Sequence, residues 1–194
     1  MKKIKVTDYI IEFLINKGVD CLFGYPGGVI CHFMDSAGKY HHQIKIQVPY
    51  HEQSASFAAC SYAQAKNNIG VAFATSGPGA TNLITGIANA WFDSIPVVFI
   101  TGQVDTYALK GELQTRQLGF QETDIVSIIK PITKYSVCID DPKQIKKELE
   151  KAFYHATTGR KGPVLLDLPA DIQRAVVDID ELENFNKEQS CNYS

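Results

Sequence analysis

IGVAFATSGPGATNLITGIANAWFDSIPVVFIT, residues 69–101, decides how this chain is built. It opens on a run of apolar, partly β-branched residues, 69–75, that stops at Ser76-Gly77-Pro78-Gly79. Residues 80–91 have the composition of a helix, and 95–101, IPVVFIT, is again continuously apolar. A strand covered on both faces reads as an unbroken apolar run, whereas one with a wet face alternates. Strand, turn, helix and strand in this form make a parallel βαβ unit with helices on both sides of the sheet.

The alternation continues in both directions. Upstream, Thr7 is expected to cap a helix through Lys17, with Ile10, Ile11, Phe13 and Leu14 inward and Gly18 as its stop. Residues 20–24 and 44–48 read as strands, and 29–37 and 52–66 as helices. Downstream, 102–121 has no regular pattern; Asp141 and Pro142 then open a helix to about Thr157, and GPVLLDLP, 162–169, supplies a further strand. The expected fold is α/β, a three-layer parallel sheet of about six strands with helices on both faces. One domain is expected over 1–177, and 178–194 reads as a polar linker or tail leading to domains absent from this sequence.

Composition excludes several partner classes. A net charge of −2 without any block of like charge offers no footprint for nucleic acid or a membrane surface. No apolar run reaches the roughly 18 residues of a membrane span, and MKKIKVTDYI has no apolar segment of a signal peptide behind its lysines. Five cysteines, odd in number and never spaced C-x-x-C, argue for a reducing, cytoplasmic location and against a zinc site.

Ligands of open parallel sheets bind outside the carboxyl ends of the strands. Four unusual loops fall there: GYPGG at 24–28, YHEQ at 50–53, TSGPGATN at 75–82 and the long stretch 102–121. GPGATN begins like a dinucleotide fingerprint but has Asn82 in place of the third glycine. HEQSA begins like a zinc-protease helix but has Ala55 where the second histidine belongs, so no metal is expected on this chain. His32, His41, His42 and His155 read as surface or packing residues, and His51 is ambiguous. Glu52 stands where a strand end meets a helix rich in alanine and serine. Residues alone favour a helix-end acid there, worth about 0.3–1 kcal/mol against the helix dipole.

GYPGG, HEQSASFAA, ATSGPGATNLITGIANAWFDSIPVVFITGQV, FQETDIV and GPVLLDLPADIQ occur in this order over roughly 5–175. The set closely resembles the N-terminal, pyrimidine-binding domain of thiamine diphosphate enzymes, in the acetolactate synthase branch. The resemblance implies that Glu52 hydrogen-bonds N1′ of the cofactor's aminopyrimidine and shares a proton there, in a desolvated site bounded by Val48, Pro49, Ala55 and Phe57. It implies that Tyr25, Pro26, Gly27 and Gly28 approach the pyrimidine with backbone. Ser76, Pro78 and Asn82 would line the same pocket, with Gln121 reaching the active centre and Phe120 on the substrate side.

The implied activity is a transferase or lyase reaction of branched-chain amino acid biosynthesis. It decarboxylates a 2-oxo acid such as pyruvate and condenses the product with a second carbonyl, in a homodimer or larger homo-oligomer. Mg²⁺ and the diphosphate would be held by a Gly-Asp-Gly motif that this sequence lacks, on another domain or subunit. The 194-residue chain alone is therefore expected to be inactive. FAD is a further cofactor the resemblance allows in the full-length enzyme. Leu118 and Gly119 depart from the synthase pattern, and Tyr135 stands where histidine is usual. Related decarboxylases and sugar-modifying carboligases share this first domain, so they stay open as alternatives beside a non-catalytic α/β binding module.

Overall fold

The computed structural model describes residues 2–186. Lys3–Lys5 (β1) leads into Val6–Asn16 (α1), Cys21–Gly24 (β2), Cys31–Lys39 (α2), Lys45–Gln47 (β3) and Glu52–Lys66 (α3). Gly70–Ala74 (β4), Pro78–Asn82 (α4), Ile84–Phe92 (α5) and Val97–Gln103 (β5) form the central unit. Ile125–Ile129 (α6), Tyr135–Cys138 (β6), Ile145–Thr157 (α7), Val164–Pro169 (β7), Ala170–Arg174 (α8) and Val176–Asp178 (β8) complete the order.

Six strands make one parallel sheet in the order β3-β2-β4-β5-β7-β6. Every residue of β4, β5 and β7 is buried, which explains their largely apolar sequence. Successive side chains still point to opposite faces. Val71, Phe73, Val98, Ile100, Val164 and Leu166 pack with α1, α2 and α7 residues such as Leu14, Phe33 and Leu149. Ala72, Ala74, Val97, Phe99 and Leu165 pack on the other face with Ala59, Ala63, Leu83, Ile87 and Ile125. The small residues of β4 and α3 face each other, so α3 lies close to the sheet.

Several local expectations change. Thr7 does not cap α1: Lys5 is the N-cap, and Thr7 is buried with its hydroxyl sharing a 2.8 Å hydrogen bond with Ser36. The expected helix 80–91 is two helices, α4 and α5, that meet at Leu83. The irregular stretch after β5 contains α6 and the edge strand β6, whose four residues are only half-buried and carry no period a reader could separate from loop.

The described part of the stretch read as a polar tail packs on the domain. β8 pairs antiparallel with β1, Lys3 opposite Asp178. Leu182 is buried, and the Phe185 ring sits 5.5 Å from Tyr154 of α7. Lys143–Glu181 and Lys147–Glu183 ion pairs, at 2.9 and 2.8 Å, hold the same segment to the start of α7. Three apolar residues, Ile179, Leu182 and Phe185, scattered among acids, add apolar contacts to this docking. The rest of the expected tail, 187–194, lies outside the described residues.

Candidate active site

Strand order fixes where a ligand can sit. β2 connects onward to β3 on one side, while its neighbour β4 connects to β5 on the other. The loops leaving β2 and β4 therefore diverge, and the crevice between them is the topological switch point at which such sheets bind ligands. Those loops are Tyr25–Gly28 and Thr75–Gly79, and Glu52 enters from the end of the adjacent β3.

Glu52 is the first residue of α3. His51 caps the helix, its Nδ1 accepting the Gln53 N–H at 3.1 Å, which answers the ambiguity over that histidine. The Glu52 carboxylate is half-buried, and its Oε2 accepts from Asn82 Nδ2 at 2.9 Å. Its Oε1 lies 3.5 Å from where a Cβ on Gly79 would stand. That Cβ would also meet Thr75 Cγ2 at 2.7 Å, so only glycine leaves the space over the carboxylate open. Gly27 closes on Thr75 from the other loop, at 2.4 Å for the same hypothetical atom, whereas Gly28 has open space around it.

Gly77 has φ +62°, in the region glycine tolerates best, and Ser76 beside it is buried. Pro78 is the first residue of α4 and is exposed, as are Tyr25 and Pro26. The structure thus brings together Glu52, Asn82, Gly79, Thr75 and Gly27. It also seats Gln121 against the same turn, because a Cβ at Gly77 would stand 2.8 Å from Gln121 Cβ. Gln121 itself has φ +60°. Phe120 points outward, 81% exposed. The apolar enclosure expected around Glu52 is only partly built by this chain: Ala55 is buried, but Val48 and Phe57 are exposed.

A residue in the left-handed region needs its surroundings to hold it there. The loop from 104 to 124 is held by buried polar groups that sequence reasoning passed over. Asp167, in the middle of apolar β7, is buried; its Oδ1 accepts from Thr101 Oγ1 at 2.6 Å and its Oδ2 from Gln103 Nε2 at 2.9 Å. Gln103 Nε2 also donates to the Thr123 carbonyl at 2.8 Å. Glu122 clamps the loop internally, accepting the Lys110 and Leu118 N–H groups at 2.7 Å each. Burial pushes the Asp167 carboxyl up to about 7, against the pull of bonds from Thr101, Gln103 and Cys138. The signal in the sequence was an aspartate inside GPVLLDLP, where an apolar strand has no use for an unpaired acid.

Among the described residues no group of three or more His, Cys, Asp or Glu is placed to hold a metal ion. No helix is long and apolar enough to cross a membrane among them.

Residues 4–128 match the model of the thiamine pyrophosphate enzyme N-terminal TPP-binding domain. The chain belongs to that family. It is 43% identical over 178 residues to a probable acetolactate synthase large subunit of Methanocaldococcus jannaschii, covering 92% of this chain and 29% of that protein. It is 45% identical over 181 residues to the acetolactate synthase large subunit of Cyanidium caldarium, covering 91% of this chain and 28% of the relative. It is 42% identical over 170 residues to the chloroplastic acetolactate synthase of Arabidopsis thaliana, covering 88% and 24% respectively. The chain thus spans less than a third of the length of these curated relatives.

The crevice suits one flat, nitrogen-bearing ring. A carboxylate with one oxygen held and the other facing a space kept clear by Gly79 suits a ring nitrogen that must share a proton. The loop backbones on either side can approach a flat ring because Gly27 and Gly79 carry no side chain there.

Proposed function

We propose that this chain forms the pyrimidine-binding half of the active site of a thiamine diphosphate-dependent carboligase of acetolactate synthase type. The observation that carries the reading is the Glu52 carboxylate at the switch point, anchored by Asn82 and open toward Gly79. When bound, thiamine diphosphate supplies the carbon nucleophile for a 2-oxo acid and accommodates the electron pair left as carbon dioxide departs. Glu52 holds a proton at the pyrimidine ring nitrogen and takes it back. Asn82 fixes the carboxylate's orientation, so that it pays no reorientation cost as the proton moves. Ser76, Pro78 and the 25–28 loop bound the ring, while Gln121 and Phe120 stand over the side from which the 2-oxo acid enters.

The acceptor carbonyl, Mg²⁺ and the diphosphate belong to the rest of the active site, on another domain or subunit. Exposed Val48, Phe57 and Phe120 around the Glu52 rim suit closure by a second chain, in a homodimer or larger assembly. Unpaired Cys21, Cys31, Cys60 and Cys138 suit the reducing cytoplasm.

The test is product analysis of the full-length enzyme with pyruvate and Mg²⁺. A condensed, branched hydroxy-keto acid is expected. Free aldehyde as the main product would make it a decarboxylase, and no carbon dioxide release at all would leave the fold a binding module.

A further inference from the structure

The parallel sheet has a second rim, at the amino ends of its strands, opposite the one that carries Glu52. Trp91 and Phe92 end α5 ahead of β5, Lys134 immediately precedes β6, and Arg160 and Lys161 precede β7. These five residues line one cavity of about 310 Å³. Three of the five are cations and none is an acid. Among the described residues, none of the three has a carboxylate within ion-pair distance, although Lys5, Lys39, Lys66, Lys143, Lys147 and Arg174 all do. Asp93, next in sequence to Phe92, is exposed and pairs with none of them.

Two of the three cations are held in place. Lys134 Nζ donates to the Thr158 carbonyl at 2.6 Å, and its stem runs over Gly162, where a Cβ would come within 3.1 Å of it. Arg160 Nε donates to Ser94 Oγ at 2.7 Å. Carbonyl and hydroxyl partners orient Lys134 and Arg160 without neutralising them. Burial holds the Lys134 ammonium below the usual lysine range, the state that an incoming anion would relieve. Beside them, Trp91 is 37% and Phe92 70% exposed, an apolar wall left to water. The volume is at the lower end of the roughly 300–1,000 Å³ of small-molecule sites, enough for one ring rather than a nucleotide.

We infer that this cavity binds a small anionic ligand, a phosphate or carboxylate group carried on a single flat ring, at a site remote from Glu52. The cations take the anionic group through charge-assisted hydrogen bonds, and the aromatic pair takes the ring. The inference is independent of the thiamine chemistry.

Trp91 is the only tryptophan of the sequence, so the chain's intrinsic tryptophan fluorescence reports on this cavity alone. The purified chain is titrated with phenyl phosphate, inorganic phosphate and benzyl alcohol. A saturable change with phenyl phosphate is expected, about tenfold weaker with inorganic phosphate, which lacks the ring, and absent with benzyl alcohol at the same concentrations. Raised salt should weaken it. Lys134→Gln should weaken phenyl phosphate binding about tenfold or more, as expected for loss of one charge-assisted contact. Should Lys134→Gln lower the melting temperature, exposed Lys161→Gln serves in its place, since it donates no hydrogen bond within the described structure. No saturable response to phenyl phosphate, equal affinity for inorganic phosphate, or undiminished binding in Lys161→Gln would each overturn the inference.

Discussion

Glu52 holds one carboxylate oxygen on Asn82 and turns the other toward the space above Gly79. An amide at position 52 keeps the shape and can still accept from Asn82, but it cannot exchange a proton. In the full-length enzyme Glu52→Gln is therefore expected to fold and bind cofactor nearly as the wild type does. Exchange of the thiazolium C2 proton and turnover should fall by about 10²–10⁴-fold, the usual weight of general acid–base catalysis. A helix-end acid would show the reverse pattern, at most about 1 kcal/mol of stability and normal exchange. Deuterium exchange at C2 measured beside thermal stability separates them, and wild-type exchange in the variant would refute the catalytic role. Asp167 makes a different prediction at the same scale. Its folded pKa, about 7, is raised above the ordinary carboxylate value of 3.8, so the folded state favours the proton. Its contribution to stability is whole below pH 3.8 and is lost as pH rises through about 7. Asp167→Asn resembles the protonated form, with an N–H₂ in place of the O–H. Its melting temperature is expected to fall less steeply than the wild type's across that window, as scanning calorimetry in a pH series would read; parallel curves would show that Asp167 does not titrate there.

Between elements, α5 packs tightly where it crosses α3. A Cβ on Gly86 would stand 1.9 Å from Ser56 Oγ and 2.3 Å from Ser56 Cβ, so the two helices meet with a single side chain between them. That contact ties α3, which begins at Glu52, to the α4–α5 segment that carries Asn82. Gly86→Ala is expected to force the helices apart at about 1–3 kcal/mol, the usual cost of overpacking. Urea unfolding would measure it. Adding Ser56→Gly should restore part of the loss, because the two substitutions act on one contact and cannot be additive. If Gly86→Ala unfolds at the wild-type midpoint, the helices are not in the contact described.

At the scale of the whole molecule, the Glu52 rim is open. Tyr50 is fully exposed, and Val48 and Phe57, close to Glu52 in sequence, and Phe120, beside Gln121, are exposed apolar side chains. The chain also lacks Gly-Asp-Gly, the motif expected to hold the diphosphate and its Mg²⁺. Titration calorimetry on the 194-residue chain should therefore show only feeble binding of thiamine diphosphate, with little response to Mg²⁺. Tight, Mg²⁺-dependent binding to this chain alone would mean that the charged end of the cofactor has partners here after all.

The parallel sheet was legible because β4, β5 and β7 are buried on both faces, and such burial leaves mainly apolar runs without alternation in the sequence. The start of α3 at Glu52 was legible because a strand-like run followed by small residues marks a boundary, although β3, read as buried, is exposed at both ends. The edge strand β6 left no such mark, because half-buried residues obey neither pattern. Thr7 looked like a cap, since local sequence cannot tell a hydroxyl that closes a helix end from one buried against Ser36, 29 residues away. The docked segment at 178–186 was hidden likewise, its few apolar residues diluted by acids that pair with α7 lysines only once the chain has folded. Proximity of residues distant in sequence was decided by tertiary structure alone. Glu52 meets Asn82 across 30 positions and Asp167 meets Gln103 across 64, contacts fixed by strand order rather than by any local preference of the chain.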